Sequence, residues 1–312
     1  MDFMNSSGTE KIAIVIPAYK ADFLRQALSS IAMQTCREFV VYVGDDCSRY
    51  DIKSAVSEFA SGMEIRYVRF EENLGGRDLV GQWERCIRLV RDEKWIWLFS
   101  DDDMMPTDGV ERIRKAIVAN SQAQFFRLPL QVVDETGAVT LAHGPFSGLE
   151  NTAEEYLLEY FRGMRPSSAC EYVFRKDLFE SLGMVHFPCA WCSDIATWYS
   201  YAMRSGTVVN VAGAPASWRN ADGVNISSTN GLYDRKMEAL IQFVAWLRQK
   251  HGLPMGKGLR SALRSYVETI LSVSLDFHYT KNDLLRLVRE LKPISPERAF
   301  KLYVKYFFKS KI

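Results

Sequence analysis

No stretch of the 312 residues is both apolar enough and long enough to span a bilayer. The first ten residues are polar and lack the apolar core of a signal peptide, so a cytoplasmic protein is expected. Net charge is only +1, which gives no sign of a nucleic-acid partner. Histidine is scarce, and His143, His186, His251 and His278 show no ligand spacing; that argues against a His-built metal centre. The six cysteines are scattered. Cys189 and Cys192 have CxxC spacing but no second pair, and read as packing rather than zinc or redox chemistry. Glycine-rich phosphate loops are missing as well. No G-x-G-x-x-G follows the first apolar run and no G-x-x-x-x-G-K-[ST] occurs, which disfavours a dinucleotide fold and a P-loop. Internal repeats and low-complexity tracts are also lacking.

What remains is an ordinary globular composition, 47% apolar and 25% charged. The length suits one large domain, or one domain with an appendage, around a sizeable core. Ile12–Ile16 is a continuous aliphatic run, as in a strand buried on both faces. A helical pattern follows over 22–34, then a strand over 39–43, a helix near 51–60, an alternating strand over 65–70 and a helix over 78–91. Trp95–Phe99 is a fourth strand, and Trp83, Trp95 and Trp97 read as core. The β-α-β-α-β-α-β order predicts a parallel sheet with crossover helices.

Further on, the pattern predicts a helix at 107–119 and strands over 123–130 and 131–141, with a turn at 134–137. A Gly/Pro-rich loop over the site is expected at 143–150, then helices at 151–162, 177–182 and 195–204 and a strand at 207–212. Residues 217–228 are polar and turn-rich. Helices at 231–250, 257–277, 281–291 and 296–309 make a C-terminal helical subdomain.

The strand ends are where chemistry gathers, because ligands of such sheets bind outside the carboxyl ends of the strands. The second strand runs into Asp45-Asp46, and the fourth into Asp101-Asp102-Asp103. One acidic turn is common. Two carboxylate clusters on one sheet edge look like a nucleotide and metal site, since like charges repel unless a cation or bound ligand compensates. A simple Asx turn remains the plain alternative for Asp45-Asp46.

Several pieces together resemble the inverting family 2 glycosyltransferases with an A-type, nucleotide-diphosphosugar-binding fold. They are Ile14 to Tyr19, Asp45 to Ser48, Asn73-Leu74-Gly75, Trp83 to Ile87, and Ser100 to Asp103 followed by Pro106. Ser193-Asp194 and the segment from Trp218-Arg219 to Asn225-Ile226-Ser227 match the later part. The resemblance implies a Rossmann-like, mainly parallel central sheet with flanking helices over 11–228, after a tail at 1–10. Residues 11–106 would be the nucleotide-binding half and 107–228 the acceptor-side half. A C-terminal helical subdomain over 229–312 would complete the chain.

The resemblance also implies roles. Pro17, Ala18 and Tyr19 would line the base and ribose pocket. Asp46 would accept from the base with Asp45 beside it, and Asn73 and Arg77 would lie near the nucleotide. The literal Asp-x-Asp pair is Asp101 and Asp103, but the spacing to Pro106 favours Asp101 and Asp102. Asp102 is therefore assigned to Mg²⁺ or Mn²⁺, Asp101 to the ribose, and Asp103 stands as alternate ligand. Asp194 matches the catalytic base, with a plain helix N-cap as its alternative. Trp191, Trp218, Arg219 and Asp222 fall in the acceptor region or its loop; the tryptophans would stack on sugar or pack, and Arg219 would bind or only support the loop. Lys20 departs from the family's usual Asn, and Asn220-Ala221-Asp222 stand where a His is usual.

The expected partners are a nucleoside-diphosphate sugar donor, above all a UDP-sugar, and a glycan or lipid-linked acceptor, with no nucleic acid. An inactive binding or scaffold protein and a nucleotidyltransferase are the rivals. The latter commonly has a Gly-rich basic loop after the first strand, which Pro17 to Lys20 does not supply. Residues 281–312 hold nine Lys/Arg against three Asp/Glu. Lys301, Lys305 and Lys309 share one helix face among Phe300, Tyr303, Val304, Phe307 and Phe308. Peripheral contact at the inner face of the membrane and plain packing with solvated lysines are the two readings of this helix.

Overall fold

The computed structural model describes residues 11–165, 167–220 and 231–311. Among these, two compact units form. The first takes in the chain to Ala153, Ser167–Met184 and Ser200 to residue 220; the second takes in Glu154 to residue 165, Val185–Tyr199 and the chain from residue 231.

The first unit opens as the hydrophobic pattern requires: β1 (Ile12–Ala18), α1 (Leu24–Ala32), β2 (Phe39–Asp45), α2 (Ile52–Ser57), β3 (Ile65–Arg69), α3 (Leu79–Ile87) and β4 (Trp95–Leu98). Asp51 and Asp78 cap α2 and α3 by accepting from the N–H groups of Ser54 and Gly81. After α4 (Gly109–Ala119) come β5 (Phe125–Arg127), β6 (Leu130–Val133), β7 (Val139–Ala142) and β8 (Glu150–Thr152). Helix α5 (Ala153–Phe161) leads into the second unit; β9 (Tyr172–Arg175) and α6 (Lys176–Leu182) return to the first. Helix α7 (Ser193–Ser205) begins in the second unit and ends in the first, followed by β10 (Thr207–Asn210) and β11 (Ala216–Arg219).

The main sheet has the order β3-β2-β1-β4-β9-β5-β10-β8. β1, β2, β3 and β4 run parallel, as do β5 and β10, while β9 is antiparallel to both its neighbours and β8 to β10. Strand order reverses at β1, which has β2 on one side and β4 on the other, so a crevice is expected beyond its carboxyl end. The expected Rossmann-like, mainly parallel sheet with flanking helices is present. β1 is buried throughout except at Pro17, which explains its unbroken aliphatic run. β3, at the sheet edge, is only half-buried.

One strand goes beyond the sequence reading, and two expectations need correction. Tyr172–Arg175 is a central strand, wedged antiparallel between β4 and β5. Ala216–Arg219, read as part of a polar turn-rich segment, pairs parallel with β6 in a small sheet of order β11-β6-β7. Trp83 is half-buried rather than core, because α3 turns Val80, Gln82, Cys86 and Ile87 inward; Trp95 and Trp97 are buried as expected.

The second unit adds α8 (Tyr233–His251), α9 (Lys257–Thr269), α10 (Lys281–Leu291) and α11 (Pro296–Phe307), the expected C-terminal helices. Among the described residues, no helix is long and apolar enough to cross a membrane.

Candidate active site

β2 ends in Asp45, whose side chain is fully buried. Its Oδ1 accepts from the Ser48 N–H at 2.8 Å, and its Oδ2 from the Tyr67 hydroxyl at 2.6 Å and Arg69 Nη1 at 2.7 Å. Burial and this hydrogen bond push the Tyr67 phenol up to about 12. Asp45 thus locks the ends of β2 and β3 together.

Asp46 does the same for the following turn. Its Oδ1 accepts from the Leu74 N–H at 2.7 Å and from Arg85, and its Oδ2 from the Gly75 N–H at 2.8 Å. Arg85 stacks over Phe70, 3.9 Å from the ring centre. A Cβ at Gly75 would stand 2.7 Å from Asp46 Oδ2, so the close approach requires glycine. Asn73 accepts from the Gly76 N–H at 2.9 Å and so shapes this turn from within. Arg77, on the same turn, is exposed and pairs with Glu72 at 3.0 Å.

The fourth strand delivers the triplet. Asp101 Oδ2 accepts from the N–H groups of Tyr19 and Lys20, at 2.8 and 2.9 Å. The exit of β1 is therefore tied to the exit of β4. Ala18 lies in the core, while Pro17 and Tyr19 are half-buried. Asp103 is fully buried; its Oδ1 accepts from the Arg219 N–H at 3.0 Å, and its Oδ2 has no hydrogen-bond partner. Asp102 differs from both, since its carboxylate accepts no hydrogen bond from the described residues. Burial, then the charges of Asp103 and Asp101, push it up to about 8, against the pull of Lys20 and Arg219. Burial also raises Asp101, and lifts Asp103 to about 6.

Arg219, fully buried at the end of β11, organises the triplet from behind. Its Nε donates to the Asp102 carbonyl at 3.0 Å, its Nη1 to the carbonyls of Asp134 and Glu135 at 2.9 and 3.0 Å, and its Nη2 to Gln26 Oε1 at 2.7 Å. Its guanidinium lies 4.2 Å from the centre of the Phe23 ring. Neighbouring Trp218 is half-buried against the core. Asp222 lies outside the described residues.

Residues 13–182, just over half of the chain, match the model of the family described as Glycosyl transferase family 2. The chain belongs to glycosyltransferase family 2. A protein of Haemophilus influenzae named as an uncharacterized glycosyltransferase is 25% identical over 174 residues, 55% of this chain and 55% of that protein. The chain thus spans about half the length of this curated relative. S. aureus TarS (residues 1–349) in complex with UDP-GlcNAc has a similar fold, with a TM-score of 0.71 at 13% identity over 95% of this chain and 89% of that one. The mannosyltransferase PcManGT of Pyrobaculum calidifontis, in complex with GDP-Man and Mn²⁺, has a TM-score of 0.52 at 14% identity over 96% and 85% of the two chains.

In this family 2 glycosyltransferase, Asp194 and Trp191 belong to the second unit. Asp194 lies in the first turn of α7, where the helix dipole favours its charge. It follows a segment in which Cys189, Ala190 and Cys192 all have positive φ, between 50° and 64°. Non-glycine residues adopt that conformation at a cost, which surrounding structure must sustain. Trp191 is half-buried, with the Lys236 ammonium 4.8 Å from its ring centre.

The Gly/Pro-rich segment at 143–149 lines a cavity of about 550 Å³ in the first unit, with Pro129 after β5, Asn210 at the end of β10 and Pro215 before β11. Sequence reasoning missed Tyr67, Arg69, Arg85, Gln26 and Phe23. Arg85 had a signal, since it lies inside the Trp83 to Ile87 motif. The others carry no pattern, because their partners are 22 to 196 residues away.

Proposed function

We propose that this chain transfers a sugar, with inversion, from a nucleoside-diphosphate donor, first of all a UDP-sugar, to a glycan or lipid-linked acceptor. The observation that carries the reading is the uncommitted carboxylate of Asp102. Asp45, Asp46, Asp101 and Asp103 all accept hydrogen bonds from the protein; Asp102 accepts none from the described residues. The donors named in the similar structures, UDP-GlcNAc and GDP-Man, support the substrate class.

Among the described residues no three His, Cys, Asp or Glu side chains converge on a cation site. A hard cation bound through one or two carboxylates plus substrate phosphates needs no such cluster. The free oxygens of Asp102 and the orphaned Oδ2 of Asp103 are all-oxygen donors and fit Mg²⁺ or Mn²⁺. Such an ion supplies charge stabilisation for the departing diphosphate. Asp101 holds the Tyr19 and Lys20 backbone so that Pro17, Ala18 and Tyr19 frame base and ribose. Asp46, beside Asp45, fixes the turn bearing Asn73 and Arg77 and offers a remaining lone pair to the base. Trp191, Trp218 and Asp222 are assigned to the acceptor side, and Arg219 to holding the triplet in place.

Asp194 is assigned as the general base on its family position. It takes the proton of the acceptor hydroxyl as that oxygen attacks the anomeric carbon opposite the leaving group. The catalytic part runs from 11 to 228 and the helices of 229–312 are appended. A cytoplasmic place in polysaccharide or cell-envelope synthesis fits a lipid-linked acceptor.

Calorimetry with a panel of nucleotides, with and without Mn²⁺, tests the reading. The expected result is UDP binding that Mn²⁺ strengthens in wild type and not in Asp102→Asn. Absence of binding by any nucleotide would overturn it in favour of a scaffold.

A further inference from the structure

Helix α11 carries a surface to which the proposed transfer assigns no residue. Ala299, Leu302 and Tyr306 form its buried face. At 100° per residue, the opposite direction falls on Phe300, Val304 and Phe308. These three are exposed, at 67%, 53% and 86%. A helix packed on a globular protein ordinarily turns its polar side outward. Here the outward line is apolar, at i, i+4 and i+8.

Charge flanks that line. Lys301, Lys305 and Lys309, each one residue on from an apolar member, are all exposed. Lys301 and Lys305 pair with Glu297 and Glu268 at 2.5 Å; the first pair is exposed on both sides and holds its side chains weakly, while Glu268 is largely buried. The surrounding segment, 281–312, has a net charge of +6 by its nine basic and three acidic residues, within a chain whose total is +1. The basic charge of the protein is concentrated where its apolar line is.

We propose that α11 docks on an anionic lipid surface. Phe300, Val304 and Phe308 enter the boundary between headgroups and acyl chains, and Lys301, Lys305 and Lys309 meet the anionic headgroups. A second protein is the weaker occupant. Three partly exposed side chains offer on the order of 400 Å², about half of the ~800 Å² per partner of a stable interface. The inference rests on this face alone and is independent of the transfer reaction.

The test is co-sedimentation of the full chain with vesicles of phosphatidylcholine alone or containing phosphatidylglycerol. The expected result is at least ~10-fold stronger partitioning onto the anionic vesicles, lost in high salt. The pair Phe300→Ser and Phe308→Ser should lower it about tenfold with an unchanged circular dichroism spectrum, as both positions are exposed. The pair Lys301→Glu and Lys309→Glu, which leaves the apolar line intact, should do the same. Equal recovery with both vesicle types, no recovery, or wild-type binding by both pairs would overturn the proposal. So would a concentration-dependent dimer, seen by light scattering, that the phenylalanine pair abolishes.

Discussion

The backbone N–H of Tyr19 donates to Oδ2 of Asp101 at 2.8 Å, and the Lys20 N–H joins it at 2.9 Å. One carboxylate oxygen thereby fixes the end of β1 against the end of β4, at the point where strand order reverses. Burial raises the Asp101 carboxyl, so its charge is costly there while its acceptor oxygen is needed. Asp101→Asn keeps an acceptor without the charge and should shift stability by no more than about 1 kcal/mol. Asp101→Ala strands two N–H groups and should cost about 2–3 kcal/mol, read from urea midpoints.

Asp102, held up at about 8, has a pH signature of its own. An unfolded aspartate titrates near ~3.9. Between that pH and about 8 the metal-free folded protein keeps a proton that the unfolded chain has lost, so this group lowers stability as pH rises. Asp102→Asn removes the loss. In chelator, its advantage in denaturation midpoint over wild type should be small near pH ~4 and grow toward pH ~8. A constant offset across the window would show that Asp102 is not the titrating group.

Arg219 has the largest structural role at the site. Four oxygens and the Phe23 face surround a guanidinium with no exposure to solvent. Arg219→Lys cannot span that fork, and Arg219→Met leaves the carbonyls of Asp102 and Glu135 without a donor and that of Asp134 with the Gly137 N–H alone. Either should cost at least ~3 kcal/mol and lower nucleotide affinity by loosening the triplet. A cost below ~1 kcal/mol in chemical denaturation would contradict the arrangement.

How much of this was legible follows from where the partners lie. The βαβ frame was readable because β1, β2 and β4 are buried on both faces and so are written as unbroken apolar runs. The aspartate clusters were readable because topology alone sends those strand ends to one edge. Tyr172–Arg175 was missed, since four residues between a turn and a helix offer too little periodicity. Ala216–Arg219 was missed because Ser217 and Arg219 look like loop residues until tertiary hydrogen bonds bury them. The division of labour within the triplet depends on Tyr19, Lys20 and Arg219, 81 to 116 residues away, and no local pattern reports it.

Gly75 gives a test of the turn that Asp46 holds. Asp46 is fixed by Leu74, Gly75 and Arg85, so it cannot swing away from a new Cβ at 2.7 Å. Gly75→Ala should therefore cost about 1–3 kcal/mol and weaken UDP binding, measured by calorimetry on the same preparation. Gly62→Ala, where a Cβ meets only the Phe59 carbonyl at 3.7 Å, is the control and should leave nucleotide binding unchanged.

Asp194 is the position at which a structural and a chemical role must be separated. Its place in the first turn of α7 means that removing it costs roughly 0.3–1 kcal/mol of dipole stabilisation whatever else it does. A base role predicts far more: Asp194→Ala should lower kcat by ~10²–10⁴ while donor affinity stays at the wild-type value, because the acceptor proton enters only in the transition state. Asp194→Asn is the sharper variant. Its carboxamide keeps an oxygen acceptor but cannot take a proton at neutral pH. If Asn restores stability without restoring turnover, the side chain is acting on the acceptor hydroxyl. If Asn turns over like wild type, Asp194 only starts its helix, and the base must be sought elsewhere.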